Sequence, residues 1–244
     1  MKFQNQMAIV TGAASGIGKA SAEEFAKNGA TVIIADLPGS QGEAVAKGIV
    51  ENGGKAAFIP CDMTDAAQVN HLVEETVRRY GSIDILHNNA GLGMTLTYVE
   101  EITEEFYDKL MAVNMKGVFL GVRAVAPYMK KAGRGKIITT GSTSAVRARA
   151  KLSLYGATKG AVVAFCKSIA LELAPFGIRV NVINPVITNT PLADPQQIKE
   201  YAAGIPLGRI AEPVDIARAA VFLASEEASM ITGVELQVDG GRCV

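Results

Sequence analysis

The sequence has few cysteines and no excess of either charge. Its 24 basic and 24 acidic residues cancel, and they form neither a basic stripe that would favour nucleic acid nor a block of like charge typical of a tail. The three cysteines, Cys61, Cys166 and Cys243, are widely spaced and odd in number. They fit reduced thiols better than a disulfide framework or a zinc site. We therefore expect no metal and no nucleic-acid partner.

Long hydrophobic runs are missing as well. The first residues, MKFQNQMAIVTG, contain too short an apolar run for a secretory signal. No later stretch has the roughly 18 uncharged apolar residues that a membrane-spanning helix needs. No linker, low-complexity tract or internal repeat divides the chain. These absences predict a cytoplasmic protein without a membrane partner, folded as a single domain over residues 1–244.

Apolar, β-branched runs alternate with longer helical patterns along the chain. The runs lie at 7–11, 31–36, 55–60, 84–88, 136–141 and 178–184, and the longest helical patterns lie at 103–129 and 153–174. Continuous apolar strands separated by helices indicate a parallel sheet that is covered on both faces. The predicted fold is therefore α/β, a doubly wound, Rossmann-type parallel sheet of about seven strands with helices on both faces.

One long segment interrupts this alternation. Residues 185–213 carry prolines at positions 185, 191, 195, 206 and 213. A connection of this length within a compact domain is usually functional. We expect a mobile substrate lid within about 186–211.

The segment TGAASGIG (11–18) follows the first strand and opens the first helix. Gly12 would make the tight turn, Gly16 would let the backbone approach a phosphate, and Gly18 would let the helix pack on the strand. Three glycines often mean no more than a turn. Here, however, the strand and the helix are both predicted where a pyrophosphate needs them, so we expect a nucleotide at this turn.

Asp36 ends the second predicted strand, 18 residues after Gly18. A carboxylate at this spacing accepts hydrogen bonds from the adenosine ribose of a dinucleotide, although a solvated carboxylate at a strand end is the commoner case. A 2′-phosphate would meet like charge there, and neither Ser15 nor Leu37 offers a cation to receive it. The expected cofactor is therefore NAD rather than NADP.

Two further motifs, NNAG at 88–91 and Tyr-x-x-x-Lys at 155–159, complete a pattern. With them, the chain resembles the short-chain dehydrogenase/reductase family from the glycine turn to VDGG at 238–241. The resemblance implies a catalytic set of Asn114, Ser142, Tyr155 and Lys159. It implies a cofactor-binding set of Gly12, Ser15, Gly16, Ile17, Gly18, Asp36, Asp62, Met63, Asn89, Ala90, Gly91, Tyr155, Lys159, Pro185, Thr188 and Thr190.

In this family the tyrosine is the general acid/base, and Tyr155 and Lys159 would share one face of a helix. A free tyrosine has a pKa of about 10, so a nearby lysine and bound NAD would favour its phenolate. Ser142 would hold the substrate oxygen, and Asn114 would anchor a water that relays the proton. Alone, Ser142 could be a strand-end hydroxyl and Asn114 a polar residue that bends a helix. Four matches in order and spacing favour the catalytic interpretation.

The sequence bounds the substrate pocket less tightly. We expect the pocket near Gly93, Met94, Ser144, Arg149, Leu152, Ile187 and Leu192. If these residues line it, it suits a largely apolar secondary alcohol or ketone, but the apolar ones could equally be core residues. The family commonly has Pro-Gly after the sixth strand, whereas this chain has Pro185 and Val186, a departure that bears on the local backbone and on the shape of the pocket wall.

Three cations, Arg147, Arg149 and Lys151, lie between the predicted catalytic serine and tyrosine. They could clamp an anionic group of the substrate, for which arginine offers a bidentate contact. Their alternation with alanines fits an exposed, extended loop that points to solvent or to a neighbouring subunit. We prefer the interpretation that these cations point to solvent or to a neighbouring subunit over the anion clamp.

Together these observations predict an alcohol:NAD oxidoreductase that transfers hydride between NAD(H) and a small secondary alcohol or ketone. The alternatives are an NADP-linked carbonyl reductase of the oxoacyl type and a non-catalytic nucleotide-sensing protein, since a fold alone does not prove activity. The two long helical patterns carry more apolar surface than one sheet can cover. With the resemblance, they lead us to expect a homotetramer.

Overall fold

The computed structural model describes residues 1–191, 193, 198 and 202–244. Strands and helices alternate along it, as the sequence predicts. The strands are β1 (Met7–Thr11), β2 (Thr31–Asp36), β3 (Lys55–Pro60), β4 (Ile85–Asn88), β5 (Gly135–Thr140), β6 (Ile178–Pro185) and β7 (Glu235–Val238). The helices are α1 (Gly16–Lys27), α2 (Gly42–Glu51), α3 (Ala66–Tyr80), α4 (Glu104–Met111), α5 (Gly117–Ala132), α6 (Ser153–Leu173) and α7 (Pro213–Ala224).

The strands form one parallel sheet in the order β3-β2-β1-β4-β5-β6-β7. The chain therefore winds outward from β1 to one edge and then from β4 to the other. The carboxyl ends of β1 and β4 meet where the winding direction reverses, and ligands of such sheets bind in the crevice at that point. The structure confirms the predicted α/β class and doubly wound topology.

The core lies on both faces of the sheet, because successive side chains of a strand point to opposite faces. Ile9 and Ile33 face α3, α5 and α6. Val10 and Ile34 face α1, α2 and α7 on the other side. The central strands are therefore buried on both faces, which explains why they read as continuous apolar runs.

The helical pattern predicted over 103–129 is two helices joined by a π-helical turn, Ala112–Lys116. The Thr103 hydroxyl caps the start of α4 by accepting a hydrogen bond from the Phe106 N–H, 3.2 Å away. The span Glu104–Ala132 is long and apolar enough to cross a membrane by length and composition alone, and half of its most apolar window is buried inside the fold.

Candidate active site

The glycine turn between β1 and α1 has the geometry of an anion cradle. Gly12 and Gly16 have φ angles of 63° and 52°, in the left-handed region that favours glycine. A Cβ on Gly18 would lie 2.0 Å from the Gly12 carbonyl oxygen, so the helix can meet the strand only without a side chain there. The backbone angles at Gly12 and Gly16 and the close approach at Gly18 therefore favour glycine at all three positions.

The N-terminus of α1 opens directly from this turn. Within the described chain, the Ser15 side chain caps none of the first N–H groups, and the first turn contains no acidic residue. No side chain of the first turn therefore competes with a bound anion for those N–H groups or for the positive end of the helix dipole. The residues present fit the pyrophosphate of a dinucleotide. Ile17, also predicted to contact the cofactor, packs against the core on the α1 side.

Asp36 lies beside the same turn. Its Oδ2 accepts a hydrogen bond from the Ala14 N–H at 2.8 Å, and its Oδ1 accepts one from the Leu37 N–H at 2.8 Å. The carboxylate thus both holds the glycine loop and presents negative charge at the end of β2. A carboxylate in this place suits a ribose with a free 2′-hydroxyl.

Asp62 and Met63 follow β3. Asp62 Oδ1 accepts hydrogen bonds from both the N–H and the hydroxyl of Thr64, each at 2.8 Å, which fixes the turn before α3. The Met63 side chain is buried against Gly117 of α5. Met63 therefore serves the core with its side chain, and its cofactor contact stays a prediction for its backbone.

Hydrogen bonds join the NNAG segment to the glycine turn. Asn89 Nδ2 donates to the carbonyl oxygens of Thr11 and Gly12 at 3.1 and 3.2 Å. The backbone N–H groups of Asn89 and Ala90 donate to the Thr11 hydroxyl oxygen at 3.0 and 3.1 Å. A Cβ on Gly12 would lie 2.7 Å from the Ala90 Cα, so the two segments touch directly. Gly91, the next residue, lies close to Lys159, because a Cβ built on Gly91 would be 3.6 Å from the Lys159 ammonium nitrogen.

Tyr155 and Lys159 lie on α6, as predicted. The Lys159 ammonium is 5.8 Å from the centre of the Tyr155 ring and donates a hydrogen bond to the Thr140 carbonyl oxygen at 2.9 Å. Lys159 is only 5% exposed, and burial lowers the pKa of its ammonium to about 8. A buried cation beside a half-buried tyrosine is an arrangement suited to proton transfer.

Ser142 lies two residues beyond the end of β5, where the sequence placed it at the end of the strand itself. It caps the short 3₁₀ helix Thr143–Ala145, with its Oγ accepting from the Ser144 N–H at 3.1 Å. Its own N–H donates to Asn184 Oδ1 at 3.0 Å. The Ser142 hydroxyl proton remains able to point toward a substrate oxygen.

Asn114 lies in the π turn between α4 and α5. Its side-chain oxygen accepts from the Leu92 N–H at 2.8 Å, and its Nδ2 donates to the Leu92 carbonyl at 3.1 Å. Nδ2 also donates to the Thr158 hydroxyl at 3.2 Å, which in turn donates to the Tyr155 carbonyl at 2.8 Å. The amide therefore ties the NNAG segment to the helix that carries Tyr155. π turns of this kind are frequent at functional sites.

The segment after β6 reaches the same crevice. The Ala211 N–H donates to the Ile187 carbonyl at 3.1 Å and the Asn189 N–H donates to the Ala211 carbonyl at 2.9 Å, which joins the two ends of the predicted lid. The Thr188 hydroxyl, just beyond Pro185, donates to the Val186 carbonyl at 2.8 Å. A Cβ on Gly16 would lie 3.2 Å from Thr190 Cγ2, so this threonine borders the glycine turn.

The whole length of the chain matches known proteins. A family model described as enoyl-(acyl carrier protein) reductase matches residues 12–242. A 2,5-dichloro-2,5-cyclohexadiene-1,4-diol dehydrogenase of Sphingobium indicum is 41% identical over 250 residues, which cover 100% of this chain and 98% of that protein. The chain is a short-chain dehydrogenase/reductase.

Other members of the short-chain dehydrogenase/reductase family show the range of its chemistry. A 4-formylbenzenesulfonate dehydrogenase of Comamonas testosteroni is 36% identical, with 99% of each chain covered. The crystal structure of a 3-ketoacyl-(acyl-carrier-protein) reductase from Brucella melitensis complexed with NADH has a TM-score of 0.93 and 41% identity, with 99% of each chain covered. These relatives support an oxidoreductase with a nicotinamide cofactor, while their names differ in substrate.

The residues predicted to line the substrate pocket of this short-chain dehydrogenase/reductase differ in burial, and the pocket itself stays a prediction. Leu152 is buried at the start of α6, and Ile187 packs against the core on the α1 and α7 side. Met94 and Ser144 are half-buried, and Gly93 is exposed. Leu192 lies outside the described residues.

The loop with three cations is folded rather than extended, which corrects the expected geometry. The Arg147 guanidinium donates to the Arg242 carbonyl. The Lys151 ammonium lies 4.1 Å from the centre of the Tyr98 ring, and its carbonyl accepts from the Thr97 N–H at 3.0 Å. Arg149 is half-buried. Arg147 is exposed although it makes this contact, so the expectation that these cations point to solvent or to a neighbouring subunit stays a prediction.

Sequence patterns missed the polar residues that join these parts. Thr11, Thr140 and Asn184 each bond across the sheet to a residue at least 42 positions away. His87 also belongs to this set of polar residues, and a histidine directly after Ile85 and Leu86 in a predicted buried strand was a signal for it.

Proposed function

We propose that this short-chain dehydrogenase/reductase transfers hydride between NAD(H) and a secondary alcohol or ketone, with Tyr155 as the general acid/base. The observation that carries the proposal is the buried Lys159 ammonium beside the Tyr155 ring. Burial of a lysine without a carboxylate as its hydrogen-bond acceptor is costly, and such groups cluster at catalytic sites. When bound, NAD(H) supplies the hydride acceptor or donor.

Asp36 supports NAD over NADP. Its carboxylate lies at the glycine turn, fixed by the Ala14 N–H, and would accept hydrogen bonds from ribose hydroxyls. The same charge would repel a 2′-phosphate, and the adjacent Leu37 side chain is exposed and uncharged. The relative from Brucella melitensis, whose structure holds NADH, agrees with this preference.

Tyr155 would take the hydroxyl proton of the alcohol during oxidation and return it to the carbonyl oxygen during reduction. The ammonium of Lys159 favours the phenolate electrostatically, because an opposite charge within a few ångströms stabilises the charged form of an acid. Since burial holds the pKa of Lys159 at about 8, the lysine is still mainly protonated near pH 7. Lys159 would also bind the nicotinamide ribose.

Ser142 would donate its hydroxyl proton to the substrate oxygen, with its orientation set by the Ser144 N–H behind it. The side-chain amide of Asn114 bonds to Leu92 and Thr158, and its role as the anchor of a proton-relaying water stays a prediction.

The proposed substrate is neutral and largely apolar. Contacts inside the chain account for Arg147 and Lys151, so we propose no anion clamp from these two residues. Reduction of a ketoacyl group is a second candidate, supported by the name of the Brucella melitensis relative. In both cases the reacting group is a secondary alcohol or its ketone.

We also propose a homotetramer. Tyr107 of α4 is 46% exposed, Phe119 of α5 is 41% exposed and Leu171 of α6 is 81% exposed. Large apolar side chains on neighbouring helices suit a symmetric contact with a second copy.

Initial rates with NAD and NADP, measured across a panel of secondary alcohols and the matching ketones, test the proposed function. We expect kcat/KM with NAD to exceed that with NADP by at least about tenfold, since like charge at the 2′-phosphate costs roughly 1.4 kcal/mol or more. A preference for NADP would contradict our interpretation of Asp36. Binding of NAD without turnover on any alcohol or ketone would favour a nucleotide-sensing protein.

A further inference from the structure

His87 is a buried histidine that the proposed mechanism does not use. It lies in β4, between Val10 of β1 and Ile138 of β5, and its ring meets the edge of Phe25 at 6.4 Å. Its exposed fraction is 0%, and burial lowers the pKa of its imidazole to about 4. The ring is therefore neutral near pH 7 and carries one proton on one of its two nitrogens.

The neighbouring bonds determine which nitrogen that is. Asn89 Nδ2 faces two carbonyl oxygens, those of Thr11 and Gly12, so the amide nitrogen must point to them and Oδ1 must point away. Oδ1 lies 3.1 Å from the Thr140 hydroxyl and can only accept, so Thr140 donates its proton there. The Thr140 oxygen is also 3.0 Å from His87 Nε2. With its own proton already engaged, that oxygen accepts, and Nε2 of His87 donates.

The other nitrogen agrees with this assignment. Within the described part of the chain, His87 Nδ1 has no hydrogen-bond partner. A proton on Nδ1 would leave that buried N–H donor without an acceptor. It would also leave a lone pair on His87 Nε2 facing a lone pair on the Thr140 hydroxyl oxygen. The proton on Nε2 gives every donor of the chain, from the imidazole to the Asn89 amide, an acceptor.

From this geometry we propose that His87 is a positioning residue for the cofactor turn. Its Nε2–H fixes the Thr140 hydroxyl, the hydroxyl fixes the Asn89 amide, and the amide holds the Thr11 and Gly12 carbonyls. The chain of bonds keeps the turn in the shape that receives the pyrophosphate.

Thr140 gives this chain a second connection. Its hydroxyl belongs to the chain from His87, and its backbone carbonyl accepts from the Lys159 ammonium at 2.9 Å. The same residue therefore borders both the cofactor turn and the proposed catalytic lysine. Because the side chain acts on Asn89 and the backbone acts on Lys159, loss of the His87 donor should affect cofactor affinity more than the chemical step.

Nitrogen NMR on the wild-type protein, labelled with ¹⁵N-histidine, tests the proton assignment directly. The chain has two histidines, and His71 is exposed, so a spectrum of His87→Gln assigns the two rings. We expect His87 to be the neutral Nε2–H tautomer at pH 7. An Nδ1–H tautomer or a charged ring would overturn the proposal.

Substitution tests the effect on the cofactor, and this part rests on the proposed use of NAD. His87→Gln places an amide nitrogen where Nε2 lies, whereas His87→Asn reaches only the Nδ1 position and His87→Leu offers no donor. We expect His87→Gln to bind NAD within about twofold of the wild type. We expect the Asn and Leu variants to bind about fivefold more weakly, with kcat at saturating NAD changed less than about twofold.

Thr140 supplies a matched pair if the His87 variants fail to fold. Thr140→Val keeps the shape and removes the hydroxyl, and Thr140→Ser keeps the hydroxyl. We expect the Val variant to lose NAD affinity as His87→Leu does and the Ser variant to retain it. Equal affinity in all folded variants, or loss of kcat alone, would overturn the proposal. A wild type that binds no NAD would instead refute the proposed function and leave the NMR result to decide the proton assignment.

Discussion

Lys159→Met should make the protein more stable while abolishing turnover. Lys159 is 5% exposed, and its ammonium donates to the Thr140 carbonyl at 2.9 Å. Burial lowers the pKa of the ammonium from 10.5 to about 8. Burial therefore makes the charged form of Lys159 less stable in the folded protein than in water. Methionine has a similar length without the charge.

The size of the gain follows from the pKa shift. One pKa unit corresponds to about 1.4 kcal/mol, so keeping the proton on Lys159 in the folded state costs about 3 kcal/mol. Methionine leaves the Thr140 carbonyl without this donor, at a cost of about 1 kcal/mol. We expect a net gain of about 2 kcal/mol in the free energy of unfolding at pH 7. In a chain of this length that raises Tm by about 4 °C.

The pH dependence has a definite sign. The unfolded chain keeps the lysine proton up to its ordinary pKa of 10.5, whereas the folded chain keeps it only up to about 8. The penalty is therefore fully present below pH 8 and disappears as the pH rises from about 8 to 10.5. The advantage of Lys159→Met over the wild type should shrink by most of its value between pH 7 and pH 10.

Urea denaturation of the cofactor-free protein, at one protein concentration and at both pH values, measures this difference. Lys136→Met is the matched control, because the Lys136 ammonium is nearly as buried but faces Glu226 Oε1 at 3.3 Å. That variant loses an ion pair and should be destabilised. A Lys159→Met variant less stable than the wild type at pH 7, or a gain equal at both pH values, would refute the account of Lys159.

Three further predictions concern the cofactor turn, the serine and the assembly. Asp36→Asn keeps an oxygen for the Ala14 N–H but removes the charge, so the ratio of kcat/KM for NAD to that for NADP should fall at least about tenfold; an unchanged ratio would contradict the proposed role. Gly141→Ala would place a Cβ 2.1 Å from Asn184 Oδ1, the atom that accepts from the Ser142 N–H, and should lower both stability and kcat. Gly48→Ala on α2 is the control: a Cβ there would meet no described atom within 4 Å, and the variant should lower neither. Light scattering at micromolar concentration should give four times the mass of the chain, and a monomer would contradict the proposed tetramer.

The sequence was sufficient for the sheet and for the individual motifs. The six strands predicted from apolar runs all form, because strands buried on both faces must be apolar along their whole length. The predicted number of about seven strands included a seventh, but the sequence did not show its position, Glu235–Val238. This strand is short, and at the edge of the sheet it alternates charged or polar residues with apolar ones. The glycine turn was predictable because its strand and helix flank it directly.

The contacts that shape the site were not predictable in the same way. The π turn at Ala112–Lys116 inserts one residue into a helical pattern that remains apolar on both sides, so periodicity does not reveal it. Asn89 and Leu92, which bond to Thr140 and Asn114, lie in the segment after β4, and only the folded sheet brings these residues together. Sequence spacing placed Ser142 and Tyr155 in the catalytic set, but not the bonds that orient them.

Single-turnover formation of NADH by Tyr155→Phe tests the central claim most directly. The phenylalanine ring preserves the packing beside Lys159 while removing the hydroxyl that would transfer the proton. We expect NAD to bind within about threefold of the wild-type affinity and the rate of hydride transfer to fall by at least about a thousandfold, within the range that positioned acid/base groups contribute. A variant that binds NAD normally and retains a tenth of the wild-type rate would show that Tyr155 is not the general acid/base.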